Sequence, residues 1–486
     1  MERQRDVYDA VVVGSGPNGL AAAVYLAQQG ASVLVIEGAD EIGGGTRTRA
    51  LTLPGFHHDM CSAAHPMGVL SPYLRQLPLS DYGLNWIHPP ASVAHPLDDG
   101  PAALLWRSLE QTCDELGPDG AAYRRMVAPF VERADDLLED ALAPLKIPKS
   151  PWLMLRFGLL GIRPATHLAR RAFGGEMARG LFAGCAAHAI QPLENLFTAA
   201  LGLIFAVTGH VKSWPVVAGG SQGISRALAG YLVHLGGELM TQQWITQAAD
   251  LPPARVYLFD TSPNQLASIG QHVLPAGYRR RLSRYRYGPG VFKVDWALDG
   301  SIPWRDPRCL QASTIHVGGT MAEIASVERR TWQGEHPERP FVLLVQQSEF
   351  DDQRAPTGQH TGYAYCHVPA HSSVDMTAAI EAQVERFAPG FRDLILARHT
   401  TTAAAWPQYN PNYVGGAITG GVADAFQLFT RPVARLNPYT TPNPRIFICS
   451  AATPPGGGVH GMCGYYAART AAKRLARFTP TRLSLG

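Results

Sequence analysis

The chain has 486 residues, room for two or three domains' worth of core, and 17% of them are charged against about 25% in an average soluble domain, which points to extensive burial or an apolar contact surface. Its net charge is only +3, from 42 basic and 39 acidic residues, so the balance excludes a nucleic-acid partner held by charge. Seven dispersed cysteines with no CxxC exclude both a disulfide framework and a redox dithiol, and predict a reducing, cytoplasmic setting.

The opening residues 1–6, MERQRD, are charged and lead straight into a strand, with no apolar leader. Ala10 to Val13 form a short apolar, β-branched run that reads as a buried strand. Gly14-Ser15-Gly16-Pro17-Asn18-Gly19 follows at once, and Pro17 to Gln29 carry the helical pattern of Leu20, Val24 and Ala27. A second strand, Ser32 to Ile36, ends on Glu37. Gly14 permits the tight turn, Gly16 lets backbone approach a pyrophosphate, and Gly19 lets helix and strand pack closely. The helix N-terminus offers unpaired N–H groups and a positive dipole end. Glu37, eighteen residues after Gly19, can accept from ribose hydroxyls and would repel a 2′-phosphate. A lone GxGxxG is weak; here strand, turn, helix, strand and acid arrive in order. Beyond Gly38 and Ala39, a second glycine turn, Gly43-Gly44-Gly45-Thr46-Arg47, brings a cation near the same place, with a surface cation as the ordinary alternative.

The segment LTLPGFHHDMCSAAHP holds His57, His58, His65 and Asp59. Neighbouring histidines on a strand face opposite ways, and no zinc spacing follows, so a metal site is not expected. Gly120 to Leu142 reads as helix. Pro151 to Phe173 interleaves Trp152, Leu153, Leu155, Phe157, Leu159 and Leu160 with Arg156, Arg163, Arg170 and Arg171. Such a basic amphipathic helix either lies in a membrane interface or caps a substrate cavity. The longest apolar run, Leu196 to Val207, is shorter than the roughly 18 residues a membrane span needs.

Gly219-Gly220-Ser221-Gln222-Gly223 turns into a helix, Ile224 to Leu235, followed by a strand ending near Ile245. Gly219-x-Ser221-x-Gly223 also matches a hydrolase nucleophile elbow, but the strand before it is poor. Val256 to Asp260 is another buried strand, broken by Thr261-Ser262-Pro263. Arg279, Arg280, Arg281, Arg284 and Arg286, with Tyr278, Tyr285 and Tyr287 among them, read as a solvated helix face. Val291 to Leu298, Gln311 to Val317, Phe341 to Gln347 and Tyr363 to Val368 read as strands, and Val374 to Ala388 as helix. No second GxGxxG follows a strand here, so a separate nicotinamide domain is not expected. Arg445 to Ser450 is a last short strand, and the glycine turn around Gly456 to Gly461 feeds a helix through Arg477.

Four motifs, VVVGSGPNGLAAA, EGADEIGGGTRT, GGSQGISRALAGYLVHLGGEL and CSAATPPGGGVHGMCGYYAAR, resemble the phytoene-desaturase-related FAD proteins of the amine-oxidase-like flavoprotein group. ERFAPGFRDLILAR, YNPNYVGGAITGG and YAYCHVP are similar to one branch of that group, named for a pyridine nucleotide-disulfide oxidoreductase domain. The usual leading Arg of the group's GG motif is replaced by Ile42. The resemblance implies an α/β chain: a Rossmann-type FAD-binding domain built from discontinuous segments, an inserted α+β substrate domain and a helical cap. The expected division is 1–70, 211–275 and 431–486 for FAD binding, 71–210 for a helical cap and substrate region, and 276–430 for the α+β substrate domain.

It further implies that Gly44, Gly45, Thr46 and Arg47 reach the pyrophosphate, and that Asp59, Ser62 and Ala63 run under the flavin. Ile245 would lie against the adenine and Thr261 beside the cofactor. Gly457, Gly458, Val459, His460, Gly461 and Met462 would supply N–H groups and a helix dipole where a reduced flavin gathers negative charge. Two ends of one chain then meet across one cofactor. His460 is the candidate polar group near the ring, as hydrogen-bond donor or as proton acceptor near neutral pH. Trp406, Tyr409 and Asn410 are candidates for the substrate side, with loop packing as the alternative.

The function this implies is an FAD-dependent oxidoreductase (dehydrogenase, desaturase or oxidase) of a hydrophobic isoprenoid, carotenoid or fatty-chain compound, with hydride transfer to flavin N5. A flavin-dependent double-bond isomerase and an interaction protein with a structural flavin are the alternatives. The sequence leaves open the substrate, the electron acceptor, membrane association through 151–173 and the oligomeric state, a dimer included.

Overall fold

A computed structural model describes residues 7–475 and 477, so the charged opening 1–6 lies outside the described residues. The chain begins with strand β1 (Tyr8–Val13), helix α1 (Pro17–Gln28) and strand β2 (Val33–Ile36). Strand–turn–helix–strand is the order that the glycines and the apolar run dictate. Pro17 sits in the first turn of α1, where its missing N–H costs nothing.

The chain then leaves this unit. Strands β3 (Ala91–His95) and β4 (Ala103–Trp106) precede a helical stretch that, after a short helix at 109–115, includes α2 (Gly120–Val131), α3 (Ala134–Ala141), α4 (Pro151–Gly161), α5 (Ala165–Ala172), α6 (Glu176–Ala187) and α7 (Thr198–Lys212). The single helix expected over 120–142 is two, broken between Val131 and Ala134, just after Pro129. Helix α8 (Gln222–His234) and strands β5 (Glu238–Met240) and β6 (Ala254–Phe259) return to the first unit. The strand expected to reach Ile245 stops at Met240, and an irregular stretch carries the chain past Trp244 and Ile245.

Strands β7 (Gly290–Leu298), β8 (Ala312–Val317), β9 (Val342–Val345), β10 (His360–Val368) and β11 (Ile395–Thr401) follow. Helices α9 (Met321–Trp332) and α10 (Thr377–Phe387) lie among them. Strand β12 (Ile446–Ile448) and helix α11 (Met462–Leu475) end the described chain.

Two sheets organise these parts. The first is parallel throughout, in the order β12-β6-β1-β2-β5, and so draws strands from three distant stretches. Being covered on both faces, its strands read as continuous apolar runs. Ala10, Val12, Val33, Val35, Val256 and Leu258 face a core shared with α1, α8, α11 and the helical layer. Val11, Val13, Leu34, Ile36, Tyr257 and Phe259 face a second core, under helices at 263–269 and 276–282. That second core buries Tyr278, and Tyr285 is buried beside it, so two of the tyrosines expected on a solvated face belong to the interior.

The other sheet has seven strands in the order β11-β7-β10-β9-β8-β3-β4, antiparallel except where β8 meets β3. Strands β3 and β4 come from the 71–210 stretch, which thus adds two strands to one edge of the sheet of the 276–430 stretch as well as supplying helices. Among the described residues no helix is long and apolar enough to cross a membrane.

Candidate functional site

The site forms where β1 gives way to α1. Gly14 has φ +99 and turns the chain out of the sheet. A Cβ at Gly19 would stand 2.1 Å from the Gly14 carbonyl oxygen, so only glycine lets α1 start this close to the strand. The second glycine turn lies on the first: a Cβ at Gly44 would be 3.2 Å from the Gly16 Cα. The Gly43 N–H donates to the Ser15 carbonyl at 3.1 Å, tying the two turns, and side chains hold the second. The Tyr409 hydroxyl donates to the Gly44 carbonyl at 2.6 Å, and the Thr46 hydroxyl to that of Gly43 at 2.8 Å.

A cleft runs from these turns along the carboxyl ends of the parallel strands. At one end it is lined by Gly14, Ser15, Gly16, Pro17 and Asn18, with Glu37, Gly38, Ala39, Trp244 and Ile245 beyond. Gly44, Gly45, Thr46 and Arg47 form its middle, with Thr261 opposite. Ser62, Gly457, Gly458 and Val459 also line it. Residues far apart in the chain thus share one elongated groove at the edge where open α/β sheets take ligands.

Helices α1 and α11 are locked together. A Cβ on Gly464 in α11 would stand 1.8 Å from the Asn18 carbonyl oxygen, so the first and last described helices cross in direct backbone contact. Val459 adopts φ +56, rare for a β-branched residue and costing about 1–3 kcal/mol, at the point where the last turn enters the groove.

Glu37 is fully engaged in the protein alone. Its carboxylate accepts from the Ser15 N–H at 2.9 Å, the Ser15 hydroxyl and the Ala39 N–H at 3.0 Å, and lies 3.3 Å from an Arg47 nitrogen. A ribose hydroxyl bonding here displaces one of these partners. Arg47 is only 3% exposed and donates twice to the Glu41 carbonyl, so it is no surface cation; it braces the GG turn against Glu37.

Several expected residues stand elsewhere. Gly19 packs under the turn without lining the groove. Asp59 is fully buried, accepting from Thr48, the Ser221 N–H, Gln347 and Arg354; it joins domains behind the groove. Arg354 and the Ser221 N–H outweigh the cost of burial, and the Asp59 carboxyl is held below its ordinary range. Ala63 packs with Val216, Val345 and Tyr363, away from the groove. His460 is 1% exposed, and its Nδ1 accepts from the Met462 N–H at 3.0 Å, holding the turn into α11. Burial pushes its pKa down to about 4, so the ring is neutral with its accepting lone pair in use. A proton-accepting role near neutral pH therefore does not fit His460. Gly461 faces Ala21 and Leu74, and Met462 is core. Trp406 is buried and donates to the Val291 carbonyl, a packing role; Tyr409 and Asn410 line the groove itself.

Ser221 is wholly buried, hydrogen-bonded to His65 at 2.9 Å, and its N–H serves Asp59. Nothing can reach its hydroxyl, which removes the nucleophile-elbow reading. His58 is buried 3.7 Å from Asp295, and among the described residues no group of three or more metal-ligating side chains converges.

Three features escape a reading of the sequence. Asp260, at the end of β6, lines the groove under the phosphate turn; Trp244 lines its far end. The third is the face of the seven-stranded sheet turned toward Cys61. Phe292, Val294, Trp296 and Leu298 of β7, with Ala364 and Cys366 of β10, point into one apolar core. The alternate residues, Lys293 and Asp295 on β7, Tyr363, Tyr365 and His367 on β10 and His316 on β8, make a buried polar and aromatic face. Lys293 pairs with Asp295 and lies 4.4 Å from the Tyr363 ring centre. Tyr363 donates to the carbonyl of Cys61, which lines the groove, so this face backs onto it. The signal was present in the sequence as strict alternation, VFKVDWAL beside YAYCHV.

Groove and phosphate turn fit a dinucleotide on structural grounds. The Asn18 amide oxygen and the Thr261 and Ser450 hydroxyls are buried without partners, and all three residues line the groove. A polar ligand would satisfy them.

Residues 12–77 match the family described as NAD(P)-binding Rossmann-like domain. The chain is 24% identical, over 95% of its length and 92% of the relative's, to pyridine nucleotide-disulfide oxidoreductase domain-containing protein 2 of Rattus norvegicus. It is 31% identical over 27% of its length, and 25% of the relative's, to one of the subunits of limonene dehydrogenase from Castellaniella defragrans. Among solved structures, cyclohexylamine oxidase from Brevibacterium oxydans superposes with a TM-score of 0.58 at 18% identity, covering 97% of this chain and all of that one (100%). The chain therefore has the fold of the amine oxidases, and the resemblance to that oxidoreductase group and its branch holds across nearly the whole length.

Proposed function

We propose that this chain is an FAD-dependent oxidoreductase that removes hydrogen from a hydrophobic substrate. The observation that carries the reading is one groove built from residues 13–62, 243–287, 409–420 and 450–459, with three unpartnered buried polar atoms on its walls. A ligand spanning it needs a pyrophosphate at the Gly14–Gly19 turn and a second ring system near Val459. FAD has that length and polarity, and when bound it supplies a two-electron acceptor at N5.

The protein's own residues then have defined work. The first turn of α1 presents N–H groups to phosphate. Glu37 and Arg47 set the ribose end and the GG turn. The turn ending at Val459 directs the start of α11 toward the far end of the groove, where negative charge is offset by the helix dipole. The sheet face carrying Tyr363, Tyr365 and the Lys293–Asp295 pair backs the groove with aromatic surface, its ion pair neutralised internally. Packing against α6 and α7 keeps water from that face: a Cβ on Gly184 of α6 would meet His316 Nδ1 at 2.4 Å. The name of the limonene dehydrogenase relative supports an apolar substrate class.

The substrate's route is part of the proposal. Trp152, Leu155, Leu159 and Ile162 recur at helical spacing along α4 and just past its end, and are 80%, 52%, 58% and 46% exposed. Leu145 and Ile147 extend the stripe, and Lys146, Lys149, Arg156 and Arg163 flank it. An apolar ridge with basic flanks suits an anionic lipid surface, which holds greasy compounds.

Anaerobic addition of candidate terpenoids, carotenoids and acyl compounds to the flavin-loaded protein tests the proposal. Bleaching of the flavin band with a desaturated product is expected. Product formed without lasting bleaching would instead mean isomerisation. A flavin that dithionite reduces but no such compound does would overturn the substrate class, and a protein that takes up no flavin would overturn the whole reading.

A further inference from the structure

We propose that Asp260 grips the dinucleotide as a neutral carboxylic acid, donating its proton toward the phosphates, so that cofactor binding takes up a proton and weakens in alkaline solution. The inference rests on the dinucleotide reading above and goes beyond it.

The geometry places the carboxyl where phosphate must come. Asp260 Oδ2 accepts the Gly19 N–H at 2.9 Å, and a Cβ on Gly16 would lie 2.7 Å from the same oxygen. The carboxyl therefore sits within the cradle formed by the phosphate turn and the first turn of α1. Helix α1 brings no acidic residue of its own to that turn, and its N-cap, Gly16, has no side chain to offer. The neighbouring orphans, the Thr261 and Ser450 hydroxyls and the Asn18 amide oxygen, show that the pocket around Asp260 is built for a polar guest.

Among the described residues no cation relieves the carboxyl. From β2 it faces Glu37, a like charge; from the end of β12 and from α11 it faces the Cys449 and Cys463 thiols. Burial raises both thiols, Cys463 to about 11, so both are neutral. From the loop before the last strand, Asn412 donates only to the Asp260 backbone carbonyl. Arg47, on the far side of Glu37, is occupied by that carboxylate and the Glu41 carbonyl. Only the Gly19 N–H and the helix dipole favour the anion. Burial outweighs the Gly19 hydrogen bond, and with Glu37 it lifts the Asp260 pKa to about 8. A phosphate diester brought to the same turn raises it further. An ionised Asp260 and a phosphate would repel at hydrogen-bond distance, whereas the acid form has one proton to share and still accepts from Gly19.

Binding is then a balanced exchange: in solutions above pH 8, apoprotein, dinucleotide and one solvent proton give the protonated complex. Affinity is flat below about pH 7 and falls roughly tenfold between pH 7 and 9. FAD is the probe. Its equilibrium dissociation constant is measured by fluorescence quenching from pH 6 to 9 on the full-length apoprotein. Titration calorimetry at pH 8.5, in two buffers of different ionisation heat, counts protons taken up. Asp260→Asn keeps a donor and an acceptor without a charge, so it should bind at pH 7 and lose the alkaline decline. An affinity independent of pH with no proton uptake in the wild type overturns the proposal and leaves the flavin reading standing. So does a folded Asp260→Asn protein that no longer binds FAD at pH 7. Wild-type protein that binds no FAD at any pH overturns the flavin reading itself.

Discussion

Consider Glu37→Arg. The native carboxylate holds the Ser15 N–H and hydroxyl and the Ala39 N–H, and stands 3.3 Å from Arg47, with side-chain exposures of 13% and 3%. Unit charges at that separation interact by about 5 kcal/mol at an effective dielectric near 20, much of it offset by desolvation. Removing the carboxylate leaves Arg47 buried beside an empty position, and an arginine there inverts the interaction. A ribose hydrogen bond to a charged acceptor, about 1.5–3 kcal/mol before the partner it displaces is counted, goes as well. With it FAD binding weakens by about tenfold, since 1.4 kcal/mol is tenfold. The ratio of flavin to protein absorbance after purification reads occupancy, and fluorescence titration reads affinity. Thermal melting confirms that the fold survives, because the new side chain can swing into the open groove. Glu37→Gln, which keeps one accepting oxygen, should fall between. Glu37→Arg protein that purifies fully yellow with unchanged affinity would refute the ribose assignment.

Other outcomes follow from single contacts. Gly464→Val forces side-chain atoms into the Asn18 carbonyl, 1.8 Å from the Cβ position, and should strip flavin and lower the melting temperature by several degrees; a wild-type melt would refute the interlock of α1 and α11. Ser221 should not react with a fluorophosphonate in the folded protein, its hydroxyl being buried against His65, and labelling would contradict that burial. Burial holds His65, His95, His210 and His460 neutral, each with its pKa lowered to about 4. Their stabilising contribution is complete above pH 6.5 and is lost as pH falls toward 4, about 2 kcal/mol apiece at pH 5, so the melting temperature should drop steeply between pH 7 and 5. Trp152→Ser with Leu155→Ser and Leu159→Ser should abolish flotation with anionic vesicles at unchanged melting temperature; equal flotation would remove the lipid surface.

The nucleotide unit was legible because its constraints are local. Gly14, Gly16 and Gly19 are fixed by a turn and a close approach, and Glu37 by a strand end. The same logic reached the last turn, whose Gly457 to Val459 line the groove. Long-range partnerships were not legible. That Asp59 answers Arg354 rather than a cofactor depends on chain segments about three hundred residues apart. Trp406 and His460 looked chemical as residue types, but the backbone groups they serve, the Val291 carbonyl and the Met462 N–H, become visible only in three dimensions. Asp260 was read as the end of a strand, because nothing local shows that its carboxyl meets the Gly19 N–H. The polar face of β7 and β10 could have been read from alternation, but a buried lysine and aspartate two apart look like ordinary surface until the other sheet face is known.

The crossing of α1 by α11, with β6 wedged between β1 and β12, also sets a timetable for synthesis. The ribosome delivers the phosphate turn within the first twenty residues, yet the groove closes only when residues 446–464 arrive. Until then α1 has an unfilled flank and β6 an open edge, surfaces that invite misassociation. On the flavin reading proposed above, a chain lacking that closing segment would have an incomplete groove and should hold no flavin.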